Sequence, residues 1–402
     1  MISFSEAFEL FTKRAKPVEQ VETIPTLYAL GRVLAEDVVS AINVPAWDNS
    51  QMDGYCVAAA DLSEASASNT VRLRVSQRIP AGSSGTRLEP GTCARIFTGA
   101  PLPEGADTVV PQENVLVDEQ GLVLYNRAPR KGEWVRKKAG DIAEGSVAAR
   151  AGERITAATL GLIASVGAGY VKVYRHLKVA VLFSGSELTP PGEPLPPGGI
   201  YNSNRYTLRG LLKNLDCEVF DVGTVRDTFV ETVEAFRTAA KGADLIISAG
   251  GMSVGEEDHI KPAVESLGEI EAWKVSVKPG KPVALGTVCG VPFIGLPGNP
   301  VSCFVTFLLL AKPFISRSQG ISDVRERPLY VRADFDWTRP GSREEFVRVR
   351  KNDKGGLDLF SNQNSQILTS CAWADGVVDI PAGTTIKAGD TVPYYAFGEV
   401  FN

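Results

Sequence analysis

The chain has few of the side chains that build most transition-metal and triad-type active sites. Its 402 residues contain only two histidines, His176 and His259, which excludes a histidine-rich metal site and leaves little for a Ser-His-Asp triad. The six cysteines are spread over the whole length without a C-x-x-C pair. This distribution favours reduced thiols over a disulfide framework or a zinc site.

Positive charge and long apolar runs are also lacking. The formal net charge of -5 does not supply the basic field of non-specific nucleic-acid binding, so we expect no nucleic-acid partner. The longest apolar run, residues 301–311, is too short to cross a bilayer, and the N-terminus lacks the pattern of a secretory signal. We therefore expect a cytoplasmic protein without a membrane partner.

The common nucleotide-binding fingerprints are missing too. Neither G-x-x-x-x-G-K-[ST] nor G-x-G-x-x-G follows a predicted strand. Ordinary nucleotide hydrolases and dinucleotide-binding enzymes therefore lose support as interpretations.

Hydrophobic periodicity divides the chain into regions. Apolar residues at helical spacing predict two amphipathic helices, near residues 4–11 and 27–34. Short β-type runs between glycine and proline turns follow, up to about residue 145. From Lys178, apolar strands alternate with helices, which predicts a parallel sheet with right-handed crossovers, and β-type alternation returns beyond Ile321. The pattern is typical of a multidomain α/β plus β protein.

Three predicted strand-end loops carry glycines or a helix start: residues 184–187, 250–255 and 297–300. Glycines let the backbone approach an anion closely, and free amides at a helix start favour negative charge. Each loop has a simpler alternative, since Asn299 could be the N-cap of a helix with Pro300 at its first position. Together the three loops indicate a phosphate-rich ligand at the carboxyl edge of the sheet.

A row of lysines accompanies these loops. Residues 273–278 alternate in polarity, so a strand there would place Lys274 and Lys278 on one face, and Lys281 follows closely. A solvated edge strand would show the same pattern. Beside the glycine loops we interpret the row as an anion clamp.

Acidic residues stand in the same loops, at Glu187, Asp227 and residues 256–258. Carboxylates beside phosphates favour a bridging Mg²⁺, which takes one or two protein oxygens and keeps several waters. Asp227 could instead be the N-cap of the helix that begins near Thr228.

Eight motifs occur in an order and spacing that resemble the MoeA and gephyrin E-domain family of molybdopterin molybdenumtransferases over nearly the whole chain. They lie at residues 45–55, 96–103, 140–142, 184–188, 200–204, 250–258, 278–282 and 296–302. The chain departs from the family pattern at Ser186, where an aspartate is common, and at Cys56, where a small apolar residue is usual.

The resemblance implies an elongated homodimer with a central doubly wound α/β domain like that of molybdopterin-binding adenylyltransferases. The implied organisation is N-terminal linking and dimerisation segments at 1–44 and 146–176, an inserted β domain at 45–145, the α/β domain at 177–322, and a β-barrel-like domain at 323–402. The implied reaction is attack of molybdate on adenylated molybdopterin with loss of AMP and with Mg²⁺ as cofactor. Molybdopterin adenylyltransferase and maturation factors of molybdenum enzymes are the implied protein partners.

The resemblance also implies roles for particular residues. The implied catalytic residues are Asp53, Asp141, Glu187, Asp227, Asp258, Lys274, Lys278 and Lys281. The implied substrate-binding residues are Thr98, Ser184, Gly185, Gly250, Gly251, Ser253, Gly255, Pro297, Gly298, Asn299, Pro300 and Ser365. Glu187, Asp227 and Asp258 are the implied magnesium ligands, whereas Asp53, Thr98 and Asp141 would complete the site from the partner subunit.

Three alternatives stay open at this point. An adenylyltransferase that uses ATP shares the α/β fold, a tungstate-inserting enzyme would have the same residue types, and a gephyrin-like scaffold would bind other proteins. Fold alone does not separate these functions.

Overall fold

The protein is described here from a computed structural model, which describes residues 1–252 and 258–400. It begins with α1 Phe4–Arg14, β1 Val21–Pro25 and β2 Val38–Val39. Ser3 starts α1 through a capping box, in which its hydroxyl accepts the Glu6 N–H and the Glu6 carboxylate accepts the Ser3 N–H. The helix buries Ala7 and Phe11 in the largest hydrophobic core, so the N-terminus is fixed to the central domain.

The second helix predicted near residues 27–34 is wrong. Only a 3₁₀ turn, Thr26–Tyr28, forms there, and Gly31 takes a positive φ of 81°. Val33 and Leu34 then pair with Arg154 and Val173 as isolated bridges. Long-range pairing has therefore overridden the local helical spacing.

Residues 45–145 fold into the predicted β region. Its strands are β3 Asn49–Ser50, β4 Gly54–Val57, β5 Val71–Ile79, β6 Thr92–Ile96, β7 Thr108–Pro111, β8 Leu116–Val117, β9 Leu122–Tyr125 and β10 Val135–Arg136. Six of them form one sheet in the order β7-β4-β6-β5-β9-β8, and β3 pairs with β10. Two small cores, one around Ile96 and one around Val123, hold this region together.

The chain then returns to its N-terminal segment. The returning elements are β11 Val147–Ala149, α2 Ala157–Ser165 and β12 Tyr170–Tyr174. β11 pairs with β2, and β12 pairs with β1, both antiparallel. Residues 18–44 and 146–176 thus form one unit around a core that includes Leu34, Ile163 and Val173.

The central region has the α/β alternation expected from the sequence. Its elements are β13 Lys178–Ser184, β14 Leu188–Thr189, β15 Ile200–Tyr201, α3 Ser203–Asn214, β16 Glu218–Val225, α4 Phe229–Ala239, β17 Leu245–Ala249, α5 Ile260–Leu267, β18 Gly268–Ala272, β19 Val277–Lys278, β20 Ala284–Val288, β21 Val291–Leu296, α6 Pro300–Thr306 and α7 Lys312–Ser318. The main sheet runs β16-β13-β17-β21-β20-β18. Its first four strands are parallel, and β20 and β18 are antiparallel additions.

Helices cover both faces of this sheet, as a doubly wound fold requires. α3 packs Leu208 and Leu212 into the core that α1 and α6 also line, whereas Phe236 of α4 and Ile260 of α5 pack on the opposite face. A π-helical turn, Phe307–Ala311, joins α6 to α7. Residues 300–318 are long and apolar enough to cross a membrane, but 78% of the stretch is buried inside the protein. Their apolar character is therefore explained by their place in the core.

The C-terminal region closes into a small barrel. Its elements are β22 Leu329–Ala333, β23 Glu344–Lys351, β24 Gly356–Leu359, α8 Thr369–Trp373, β25 Gly376–Ile380, β26 Thr391–Ala396 and α9 Phe397–Val400. The strands run β19-β23-β24-β22-β26-β25, and pairing of β23 with β25 closes the ring. Since β19 belongs to the preceding region, the barrel is joined directly to the segment that carries Lys278.

Candidate functional site

The three glycine-bearing loops meet at one edge of the central sheet, because β13, β17 and β21 are neighbours and parallel. A methyl group on Gly250, whose φ is +96°, would lie 2.3 Å from the Ser184 carbonyl oxygen. One on Gly298 would lie 3.5 Å from the Gly250 Cα. The loops therefore touch backbone to backbone, at the sheet edge where the sequence predicted them. Ser253 and Gly255, also predicted for this site, lie outside the described residues.

Asp227 is fixed by the loop that follows β13. Its carboxylate accepts hydrogen bonds from the Ser184 hydroxyl and the Ser186 N–H, both at 2.7 Å. The hydroxyl of Ser186 in turn accepts the Asp227 N–H at 3.3 Å. Thr228, rather than Asp227, caps α4. The capping alternative for Asp227 is thus wrong, and Ser186 supports the Asp227 loop from a position where an aspartate was expected.

The other two predicted metal ligands differ in exposure. Glu187 is exposed at the end of the Ser184 loop, and Asp258 is half-buried just before α5. Among the described residues, no group of three or more His, Cys, Asp or Glu side chains is assembled for a metal ion. Glu187, Asp227 and Asp258 therefore do not form a ready-made three-carboxylate site.

The turn before α6 is held by two other regions. Asn299 occupies the N-cap position but makes no capping hydrogen bond; its amide donates instead to the Ser365 hydroxyl at 3.1 Å. The Val301 N–H donates to the Ser365 carbonyl at 3.1 Å, and Asn204 Nδ2 donates to the Gly298 carbonyl at 2.8 Å. A loop of the C-terminal domain therefore closes the helix start. Pro297 is buried beneath this turn, and Pro300 is the first residue of α6.

The predicted lysine row is only partly a strand. β19 comprises two residues and pairs with β23 of the barrel rather than with the main sheet. Lys278 forms an ion pair with Glu345 at 2.9 Å; the Glu345 side chain is 4% exposed and that of Lys278 is 50% exposed. Lys274 is half-buried and Lys281 is exposed. The row thus contains one lysine that is already matched by a buried acid.

Sequence reasoning did not single out Arg348, which is 1% exposed. Its Nε donates to the Ser370 hydroxyl at 3.0 Å, and Nη2 donates to the Asn364 carbonyl at 3.3 Å, next to Ser365. Burial lowers the pKa of this guanidinium, and no ion pair of Arg348 with a carboxylate occurs in the described part of the chain. The alternation of residues 346–350 places Arg348 on the same strand face as Phe346. This alternation was the sequence signal from which the burial of Arg348 could have been predicted.

The second group of predicted residues lies in the inserted β domain. The Asp53 carboxylate accepts the N–H and the hydroxyl of Thr98, both at 2.8 Å. These hydrogen bonds lower the pKa of Asp53, and the charge of nearby Arg95 adds to the effect. Asp53 is therefore held as a carboxylate in a fixed orientation.

Within the described ranges of one chain, no hydrogen bond joins Asp53 or Thr98 to the loops of the α/β domain. Within the described ranges, the hydrogen bonds of Asp53 and Thr98 remain inside residues 45–145. Asp141 is exposed, and its N–H donates to the Val44 carbonyl. The structure thus presents two half-sites: the strand-end loops, and the Asp53–Thr98 pair.

Comparison with known families agrees with this organisation. Residues 2–167 match the MoeA N-terminal region (domains I and II), residues 180–317 match a probable molybdopterin binding domain, and residues 330–397 match the MoeA C-terminal region (domain IV). The three matches are in the order of the regions described above.

Whole-length relatives and solved structures give the same result. A molybdopterin molybdenumtransferase of Haemophilus influenzae is 40% identical and covers 100% of both chains. Those of Nostoc sp. and Bacillus subtilis are 36% and 33% identical, over 93% and 90% of this chain and 88% and 87% of their own. A crystal structure of a molybdopterin biosynthesis MoeA protein from Pyrococcus horikoshii superposes with a TM-score of 0.81 at 32% identity, covering 99% of each chain.

Proposed function

Because the chain belongs to the MoeA family of molybdopterin molybdenumtransferases, we propose that it inserts molybdate into adenylated molybdopterin, releasing AMP and forming the molybdenum cofactor. The observation that carries this proposal is the meeting of three strand-end loops at one edge of the central sheet. Such an edge suits a ligand that carries several phosphates.

The catalytic contribution of the chain is positioning and charge neutralisation. Gly250 lets two of the loops pack closely, because a side chain there would collide with the Ser184 carbonyl, and glycine backbone can approach phosphates closely. The ammonium groups of Lys274 and Lys281 neutralise the charge that develops as AMP leaves. Holding pterin, phosphate and oxyanion together lowers the entropic part of the barrier.

Mg²⁺ is part of the proposal, and the donor set fits it. Exposed Glu187 and the bonded carboxylate of Asp227 offer hard oxygen ligands beside the phosphate loops. One or two carboxylates together with substrate phosphates are the usual protein environment of Mg²⁺. When bound, the ion would withdraw charge from the phosphoanhydride.

We further propose that the protein is a homodimer in which Asp53, Thr98 and Asp141 complete the partner's site. The hydrogen bonds of Asp53 and Thr98 support this, because within the described ranges none of them reaches the loops of the α/β domain. So does the apolar surface of the N-terminal unit, where the side chains of Leu27, Tyr28, Leu30 and Tyr170 are 60–76% exposed. Large exposed apolar side chains grouped in this way are typical of a protein interface. The proposal also includes a cytoplasmic location. It further includes an adenylyltransferase that supplies the substrate and maturation factors of molybdenum enzymes that receive the product.

The decisive experiment is an assay of AMP release from adenylated molybdopterin. We expect AMP release to require molybdate and to fall on chelation of Mg²⁺. Replacing molybdate with tungstate in the same assay tests which oxyanion the protein uses. In a parallel arm, ATP and molybdopterin are supplied instead. Rapid formation of the adenylate in that arm, without molybdate-dependent AMP release in the first, would overturn the proposal in favour of an adenylyltransferase. If neither arm turns over, the scaffold alternative gains support.

A further inference from the structure

A cationic and aromatic cluster borders Asp53 in the inserted β sheet. It consists of Tyr55 on β4, Arg95 on β6, Phe97 just after β6, and Arg78 on β5. Arg95 is the register partner of both Tyr55 and Arg78. Its guanidinium carbon lies 5.2 Å from the centre of the Tyr55 ring and 4.8 Å from that of Phe97. Contact with two rings restricts the plane and position of this cation.

The donors of Arg95 reach the turn that carries Asp53. Nη1 donates to the Gly54 carbonyl at 3.0 Å, and Nη2 donates to the Gln112 side-chain oxygen. The N–H of Gln112 donates in turn to the Asp53 carbonyl at 3.0 Å. The carbonyls of Asp53 and Gly54 are thus both tied into one network centred on Arg95.

The backbone at Gly54 is closely packed against the neighbouring strand. A methyl group on Gly54 would lie 2.1 Å from the Val110 carbonyl oxygen, so β4 and β7 are in close contact there. Thr98 holds the carboxylate itself, at the other end of the Asp53 side chain. Backbone and carboxylate are therefore held by different partners.

We propose that Arg95 is a positioning residue for Asp53, which fixes the backbone beneath the carboxylate so that the carboxylate is presented charged and correctly oriented to the active site. The catalytic part of this inference rests on the proposed function. The structural part, that Arg95 controls the Asp53 turn, stands on the contacts themselves.

Electrostatics act in the same direction. Charged side chains on the elements around the Asp53 turn include Arg95 on β6, Arg78 on β5 and Glu113 on the 3₁₀ turn after β7. The charge of Arg95 is among the causes that lower the pKa of Asp53, after the hydrogen bonds from Thr98. Loss of the guanidinium should therefore raise the pKa of Asp53.

The cluster supplies a matched control in Arg78. Its guanidinium carbon lies 4.5 Å from the centre of the same Phe97 ring, but in the described part of the chain it makes no hydrogen bond to residues 53–54. Arg78→Gln and Arg95→Gln therefore remove the same charge from the same cluster, and only the second variant cuts the link to Asp53.

The test compares Arg95→Gln, Arg95→Lys and Arg78→Gln in the full-length protein. For Arg95→Gln we expect the kcat of AMP release to fall about 10- to 100-fold and the acid limb of the pH profile to move to higher pH. Arg95→Lys keeps the charge but loses the planar donor pair, so it should restore the acid limb and only part of kcat. Arg78→Gln should match the wild type in both. Equal behaviour of the two Gln variants would overturn the inference.

A second readout does not depend on catalysis. Titration of the Asp53 carboxyl by NMR with ¹³C-labelled aspartate, assigned with Asp53→Asn, should give a higher pKa in Arg95→Gln than in the wild type or Arg78→Gln. An unchanged pKa would contradict the positioning role. If the wild-type protein releases no AMP while the NMR shift appears, the proposed function fails and the link between Arg95 and Asp53 stands. If Arg95→Gln does not fold, the kcat and the pKa of Asp53 are compared between Arg95→Lys and the wild type instead.

Discussion

The two half-sites of this chain are built in different ways. In the α/β domain, candidate residues lie in loops that meet only because β13, β17 and β21 are adjacent, and Glu187 and Lys281 are exposed there. In the inserted β domain, Asp53 lies next to a regular strand and is held by Thr98 and the Arg95 network. The α/β half can thus adapt to a large ligand, whereas the β half presents one preoriented carboxylate. In the proposed homodimer, catalysis depends on bringing the two halves together between subunits.

We expect the largest loss of activity when the fixed carboxylate of Asp53 is neutralised. We expect Asp53→Asn to reduce molybdate-dependent AMP release by about 100-fold or more, since charge placed at a transition state carries effects of this order. Glu119→Gln, an exposed acid of the same domain, should have no effect. The measurement is single-turnover AMP release by both variants.

Mixing of inactive subunits then tests whether the halves meet between chains. Lys281→Ala is the suitable partner variant, because Lys281 is exposed and its carbonyl, which accepts the Val275 N–H, is retained. If the site is shared in a two-fold dimer, random mixing with Asp53→Asn should restore about one quarter of wild-type activity. Mixed dimers that stay inactive would place both halves in one subunit.

We expect a smaller effect, on stability, from the lysine that pairs with a buried acid. Lys278→Ala leaves the Glu345 carboxylate buried without its cation. We expect a loss of about 1–2 kcal/mol in stability, less than for a fully buried pair because Lys278 is half exposed. Adding Glu345→Gln should recover most of this loss but not the activity, and thermal unfolding of the single and double variants measures the difference. Lys281→Ala, the matched control, should leave stability unchanged.

We expect the smallest effect, on the pH dependence of stability, from a carboxyl group in the C-terminal barrel. Burial and the neighbouring Asp379 raise the pKa of Glu344 to about 7. A carboxyl group whose pKa is higher in the folded state stabilises the fold below its ordinary pKa, and this contribution is lost as the pH rises through about 7. Glu344→Gln should therefore melt at a higher temperature than the wild type at pH 8 and about equally at pH 4. The same difference at both pH values would show that Glu344 does not titrate in this range.

Local pattern predicted the fold well where pattern and topology agree. The helices expected between the strands after Lys178 form, among them α3 and α4, because their apolar faces have a sheet to cover. The helix expected near 27–34 does not form, since those residues pair with the returning segment. Thr228, and not Asp227, caps α4. Asn299 stands at the N-cap position of α6 but makes no capping hydrogen bond. Short-range rules cannot anticipate partners that lie 41 or 66 residues away.

The sequence by itself determined the order of regions and the positions of the three glycine-bearing loops, because glycine spacing and hydrophobic period are local properties of a chain. Asp53 was singled out only by the resemblance of its motif to a known family. Only the tertiary structure decided that Lys278 is matched by Glu345, that Ser365 closes the start of α6, that Arg348 is buried beside it, and that Arg95 underlies Asp53. These contacts join residues far apart in sequence. They are fixed by strand register and by the closure of the barrel on β19, which no local pattern specifies.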